Sequence, residues 1–177
     1  MTYKAFAAGL GTPSGPLSSE NRGSDPTSAV GANCTQSLSQ QSGGTPDSAL
    51  ANGVIDTKIT FWHDVDLAKR QFNYSRETDA KDYATDGKAL SQPDTGTEAY
   101  RYLRKQSGAG IAIVELVARH SNLQVSVRVI ASSRTAWTDA QITGLFEQTT
   151  AYTQAVLTAV HVAAPAPAIS TAATPSG

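Results

Sequence analysis

The amino-acid sequence predicts an α+β domain in which an antiparallel sheet of four to five strands carries a long C-terminal helix on one face. Three observations lead there. Residues 110–133, GIAIVELVARHSNLQVSVRVIASS, form two apolar runs parted by a short polar interruption, the pattern of a hairpin. Residues 54–62, VIDTKITFW, alternate apolar and polar side chains with the period of a strand. From Ile142 to Val160 large apolar residues recur at helical spacing.

The elements follow in chain order. Residues 3–10 suit a short helix that ends at Gly11, where a positive φ is readily adopted. Residues 11–31 and 40–53 are rich in Gly, Ser, Pro, Asn and Asp and are expected to be loop. In the strand at 54–62, Ile55, Thr57, Ile59 and Phe61 alternate with Asp56, Lys58 and Thr60, so one face is buried. In HDVDLAKRQFNY, Asp66 is placed to cap a short helix with Leu67, Ala68 and Phe72 on one side, ending before Asp79. Residues 79–96 are polar, with Pro93 and two glycines, and read as a long connection.

Residues 98–103 return to strand, with Tyr100 and Tyr102 on one face, and 106–110 turn the chain back. In the hairpin, Leu123, Val125, Val127 and Val129 alternate with Gln124, Ser126 and Arg128. The preceding strand is apolar on both sides through Ile111, Ile113, Val114, Leu116 and Val117, which makes it the more central. Residues 119–122 form the reversal, with His120 at its tip. The closing helix opens with a capping box, Thr138 and Gln141, bracketed by the staple pair Trp137 and Ile142. Burying its stripe of Ile142, Leu145, Phe146, Val156, Leu157 and Val160 contributes at most about 10 kcal/mol.

The chain of 177 residues accommodates one such domain, residues 1–161, followed by a Pro- and Ala-rich tail or spacer at 162–177. Charged residues make up only 16% and the formal net charge is -1; the densest cationic set is Arg101, Arg104 and Lys105. Nucleic-acid binding, which needs a basic stripe, is not expected. No apolar run approaches a membrane span, and the opening MTYKAFAAGLGTPSG lacks the order of a signal peptide. The sequence is therefore expected to be cytoplasmic or a mature segment restarted at Met1, and loops dominated by Ser, Thr, Gln, Gly and Ala favour the second.

Chemistry-bearing motifs are sparse. Cys34 is the sole cysteine and reads as a small buried hydrophobe; Asn33-Cys34-Thr35 and Asn73-Tyr74-Ser75 match the glycosylation acceptor pattern. His63, Asp64 and Asp66 are the most compact set of metal-ligating types, but the strand end points neighbours apart and Asp66 is assigned to the cap. His120 reads as a residue of a solvated turn rather than a general base, a role that needs an orienting partner. No nucleophile elbow or phosphate-binding glycine loop occurs. No catalytic residue, metal ligand or cofactor is nominated.

Two features of the closing helix stand out. Thr149 and Thr153 lie one turn apart within the apolar stripe. Either their hydroxyls bond back to the carbonyls four residues earlier, or, with Trp137, they form a ligand-binding set lining a small cavity between helix and sheet. The opposite side carries Ala140, Gly144, Ala151, Ala155 and Ala159, which suits a protein partner or self-association, or reflects helix propensity alone.

Several pieces together resemble a known family. Gly9-Leu10-Gly11, Cys34-Thr35, the helix segment 64–72, the strand 98–102, the hairpin 117–127 and the helix 139–160 look like the small extracytoplasmic lipoproteins of actinobacteria whose domain has no assigned function. The likeness spans most of the chain. It departs from the family in having no lipidation motif before a cysteine and no paired cysteines. The resemblance implies a non-enzymatic, cell-surface domain similar to the sensor domains of some actinobacterial serine/threonine kinases, tethered by a lipid or a spacer. It carries over no functional residue. The expected function is thus an extracytoplasmic binding or sensor domain; the alternative is a small apolar-ligand-binding or enzymatic domain with a cavity behind the C-terminal helix.

Overall fold

A computed structural model describes residues 3–25, 29–40, 52–82, 88–90, 98–107 and 110–163. A 3-10 turn over Tyr3–Phe6 runs into helix α1 (Ala7–Leu10). The strands are β1 (Thr12–Pro13), β2 (Ser18–Asp25), β3 (Ala29–Ser39), β4 (Asn52–Trp62), β5 (Lys88–Leu90), β6 (Glu98–Ser107), β7 (Ile111–His120) and β8 (Leu123–Ser132). Helix α2 (Val65–Asp82) follows β4, and α3 (Asp139–Ala163) follows β8. Every pairing is antiparallel, in the order β1-β3-β4-β8-β7-β6-β5, with β2 also on β3. Because β4 lies along one side of β3, β1 and β2 share the other, so the eight strands of the described residues fill seven positions.

The architecture is α+β, with an antiparallel sheet and the C-terminal helix against one face, as the sequence predicts. The sheet is wider than the expected four to five strands. Of the additional strands, β1, β2 and the first residues of β3 lie in the segment expected to be loop, 11–31, and β5 lies in the connection expected at 79–96. Ladder bonds join backbone to backbone, so a Ser- and Asn-rich ribbon can extend a sheet whose edge is already built. β2 lies at such an edge, where no apolar alternation is required.

One face is the core. Ile55 and Ile59 of β4, Val125, Val127 and Val129 of β8, and Val114 and Leu116 of β7 meet Leu145, Phe146, Tyr152, Val156 and Leu157 of α3. Phe6 and Leu10 are fully buried and bring the N-terminal turn onto α3. Gly11 leaves α1 at φ 86, the positive backbone angle its position calls for. The capping box is made as expected: Gln141 N donates to Thr138 Oγ1 at 3.3 Å and Thr138 N to Gln141 Oε1 at 2.9 Å. Trp137 and Ile142 are both buried beside it. The helix runs to Ala163, past the expected end at 161, and residues 164–177 of the tail lie outside the described residues.

The opposite face carries α2. Its N-cap is Asp64, whose Oδ1 accepts from Leu67 N at 2.6 Å, and not Asp66. The helix starts directly after the strand, so the carboxylate three residues before Leu67 has the reach that Asp66, inside the first turn, lacks. It also continues through Asp79 to Asp82. Two tyrosines of β6 hold this extension: Tyr100 Oη donates to Asp79 Oδ2 at 2.8 Å and Tyr102 Oη to the Arg76 carbonyl at 3.2 Å. Phe72 packs among Tyr100, Tyr102 and Val117, with 5.2 Å between its ring centre and that of Tyr100. The β7–β8 reversal is shorter than expected. Ser121, at φ 56, and Asn122 alone make the turn, while His120 is the last residue of β7 and pairs with Leu123. Asn122 fastens the turn to the end of β4: its carbonyl accepts from Trp62 N at 2.9 Å and its Nδ2 donates to the Trp62 carbonyl at 3.0 Å.

Candidate functional site

The residues of β4 and β8 that point away from α3 are the polar half of their alternation, and register lines them up across the sheet. Thr35 opposes Asp56, Asp56 opposes Arg128, Arg128 opposes Glu115, and Glu115 opposes Tyr102. One step along, Asn33, Lys58, Ser126, Val117 and Tyr100 form the neighbouring row. Phe72 of α2 covers Val117 and Tyr100, and the helix also touches β4 and β8, so it closes one side of this face. The result is a cleft of about 370 Å³ lined by Arg22, Asn33, Cys34, Thr35, Asp56, Lys58, Glu115, Ser126 and Arg128.

The charges are held by specific partners. Asp56 Oδ1 accepts from the Thr35 hydroxyl at 2.8 Å, and its Oδ2 lies 3.4 Å from Arg128 Nη2. Glu115 Oε2 accepts from Arg104 Nη1 at 2.9 Å and Oε1 from Ser126 Oγ at 3.1 Å. Arg104 reaches this carboxylate because the β6–β7 register shifts between Leu103 and Lys105, and the extra residue of such a bulge re-aims its side chain. Burial raises the Glu115 pKa above the ordinary carboxylate range, an effect that Arg104 opposes and Asp79 reinforces. The Tyr100 hydroxyl is likewise raised, first by burial and then by Asp79. Arg22 is steadied by Asn33, whose amide oxygen, turned toward it, accepts from Nε at 2.7 Å and Nη2 at 3.1 Å. Cys34 is half-buried rather than buried, because β3 lies near the sheet edge. Such a surface has the chemistry to orient polar groups through fixed charges.

The candidates named from sequence lie elsewhere. Thr149 and Thr153 are fully buried in α3, and their hydroxyls donate to the carbonyls of Leu145 and Thr149 at 2.7 and 2.8 Å. Trp137 Nε1 donates to the Gly110 carbonyl at 2.7 Å. Trp137 lines a second recess of about 310 Å³ with Gly9, Gln40, Gln141, Gly144 and Gln148, which neither threonine lines. The structure therefore does not bring the three together at one site. His63 is exposed beside the cap, and no group of three or more His, Cys, Asp or Glu gathers among the described residues. Ala140, Ala151, Ala155 and Ala159 are exposed on α3. No helix among the described residues is long and apolar enough to cross a membrane.

Sequence reading missed the charged row. Asp56, Lys58, Ser126 and Arg128 were visible as the wet halves of two strands, but their meeting depends on the pairing of β4 with β8, which alternation alone does not specify. No protein family, no curated protein and no solved structure matches the chain.

Proposed function

We propose that this chain is a non-enzymatic binding or sensor domain of the cell envelope, similar in role to the actinobacterial lipoproteins it resembles, and that it takes its ligand in the polar cleft over β3, β4 and β8. One observation carries this reading. The side chains between α3 and the sheet pack into a continuous apolar cluster, whereas the opposite face opens a recess floored by charges that hold one another in fixed positions. Prealigned polar groups in a concavity are what recognition of a small molecule requires. The alternative, an apolar-ligand or enzymatic domain with a cavity behind α3, draws less support, because the threonines that would orient such a ligand spend their hydroxyls on their own helix.

The test is capture of a ligand from envelope extract by the full chain, read by native mass spectrometry. A retained small-molecule adduct that Lys58→Glu and Arg128→Glu both lose is the expected result. An adduct indifferent to both substitutions, or no adduct, removes the cleft from consideration.

A further inference from the structure

Resting on that reading of the cleft, the donors and acceptors along its floor fix the chemical class of the ligand. Each oxygen of Asp56 faces a protein cation or donor, Thr35 on one side and Arg128 on the other. Each oxygen of Glu115 is likewise engaged, by Arg104 and Ser126. The donors are in surplus. Among the described residues, Arg128 Nε is buried with no hydrogen-bond partner, and its Nη2 makes only the long contact to Asp56. Lys58, in the same cleft, is exposed and makes no hydrogen bond or ion pair with the described residues. A buried guanidinium N–H without an acceptor is an unfavourable arrangement that a ligand acceptor relieves.

Lys58 and Arg128 are diagonal neighbours on paired strands, since Asp56 opposes Arg128 and Lys58 opposes Ser126. Diagonal positions are separated by about 7 Å, within reach of two long side chains converging on one group. The Arg fork matches two oxygens of a planar or tetrahedral oxyanion, and the lysine adds a point charge from the side. We propose that the cleft binds a small oxyanion, a carboxylate or phosphate group anchored by Arg128 and Lys58, with Ser126 between them on the floor.

The experiment titrates the isotope-labelled full chain with inorganic phosphate and, separately, with succinate, at ionic strength held constant with chloride. Amide and side-chain N–H resonances are followed. Saturable shifts centred on Lys58, Ser126 and the Arg128 Nε–H, with one anion or both, are expected, and the stronger responder identifies phosphate or carboxylate as the preferred source. Arg128→Gln and Lys58→Gln should each weaken the response by about tenfold or more, the loss of one charge-assisted hydrogen bond. The Lys58→Gln variant keeps the test decisive if Arg128→Gln does not fold, because Lys58 is exposed and holds nothing in place. The proposal is overturned if neither anion gives a saturable response, if shifts spread evenly over surface cations, or if Lys58→Gln leaves the response unchanged. An envelope adduct that depends on the cleft while neither anion binds would overturn the oxyanion class and leave the binding-domain reading standing.

Discussion

Thr57 Oγ1 and Tyr152 Oη meet at 3.1 Å inside the core, a hydrogen bond between the middle of β4 and the middle of α3. Thr57 is the one polar member of the inward row Ile55, Thr57, Ile59, and Tyr152 is almost fully buried, with Tyr3 stacked on its ring at a centroid distance of 5.3 Å. The pair fixes how far the helix slides along the sheet. Tyr152→Phe leaves the Thr57 hydroxyl in an apolar setting and is expected to destabilise by about 1–3 kcal/mol. Adding Thr57→Val should restore part of that loss, a non-additivity measurable in a double-mutant cycle by urea denaturation.

Gly110 carries a different constraint. It has φ 77, and a Cβ there would overlap the Ser133 carbonyl oxygen, while its own carbonyl accepts from Ser133 N at 2.8 Å and from Trp137 Nε1 at 2.7 Å. Gly110→Ala is expected to cost about 3 kcal/mol or more, since both the backbone angle and the space are forbidden to it. Trp137→Phe, which removes the indole N–H and part of the buried ring while keeping the backbone free of clash, should cost about 1–3 kcal/mol. Thermal unfolding of the two variants gives the order.

Thr149→Val together with Thr153→Val should change stability by less than about 1 kcal/mol in either direction. The carbonyls that receive these hydroxyls already belong to the helix ladder, and Val differs little from Thr in helix propensity. The melting temperature reads this directly, and a large loss would show that the hydroxyls do more than bond back.

Phe72→Ala should release α2 from the sheet at a cost of about 3–5 kcal/mol, the usual range for a buried ring in a small cluster. Hydrogen exchange would show faster opening along α2 than along α3, because their apolar clusters are separate.

The Glu115 carboxyl gives a pH signature. Its folded-state pKa is raised, chiefly by burial, above the unfolded value of about 4.3. Between the unfolded and folded values the native state holds the proton more often than the unfolded chain does. The proton count is then lower in the unfolded state, and this residue's contribution to stability falls as pH rises through that window. A carbon-detected titration should place the Glu115 midpoint above the ordinary range, and the fall attributable to it should be absent from Glu115→Gln.

How much of this was legible beforehand depends on the distance over which each feature is decided. The capping box at Thr138 and Gln141, the burial of Trp137 and Ile142 beside it and the alternation of β8 are local, and each stands where the sequence puts it. The cap of α2 is also local, yet two aspartates lay within one turn and only the geometry of the strand exit chooses Asp64. β2 was illegible because Ser, Asn and Gly carry no period, and its pairing is a property of the neighbouring strand. The cleft was hidden for a related reason. Thr35, Asp56, Glu115 and Arg128 read as unremarkable solvent-facing residues until register sets them side by side.

That side-by-side placement has a temporal meaning. The central ion pair joins position 56 to position 128, and β8 inserts between β4 and β7. Pairings between residues so far apart in the chain are the slow ones. During synthesis Asp56 can meet Thr35 of β3 early but must wait for β8 to emerge before it meets Arg128, so the charged row is completed by the last strand. A nascent chain halted before that strand would present Asp56 and Lys58 of β4 without the Arg128 and Ser126 that oppose them, the charged row left unfinished.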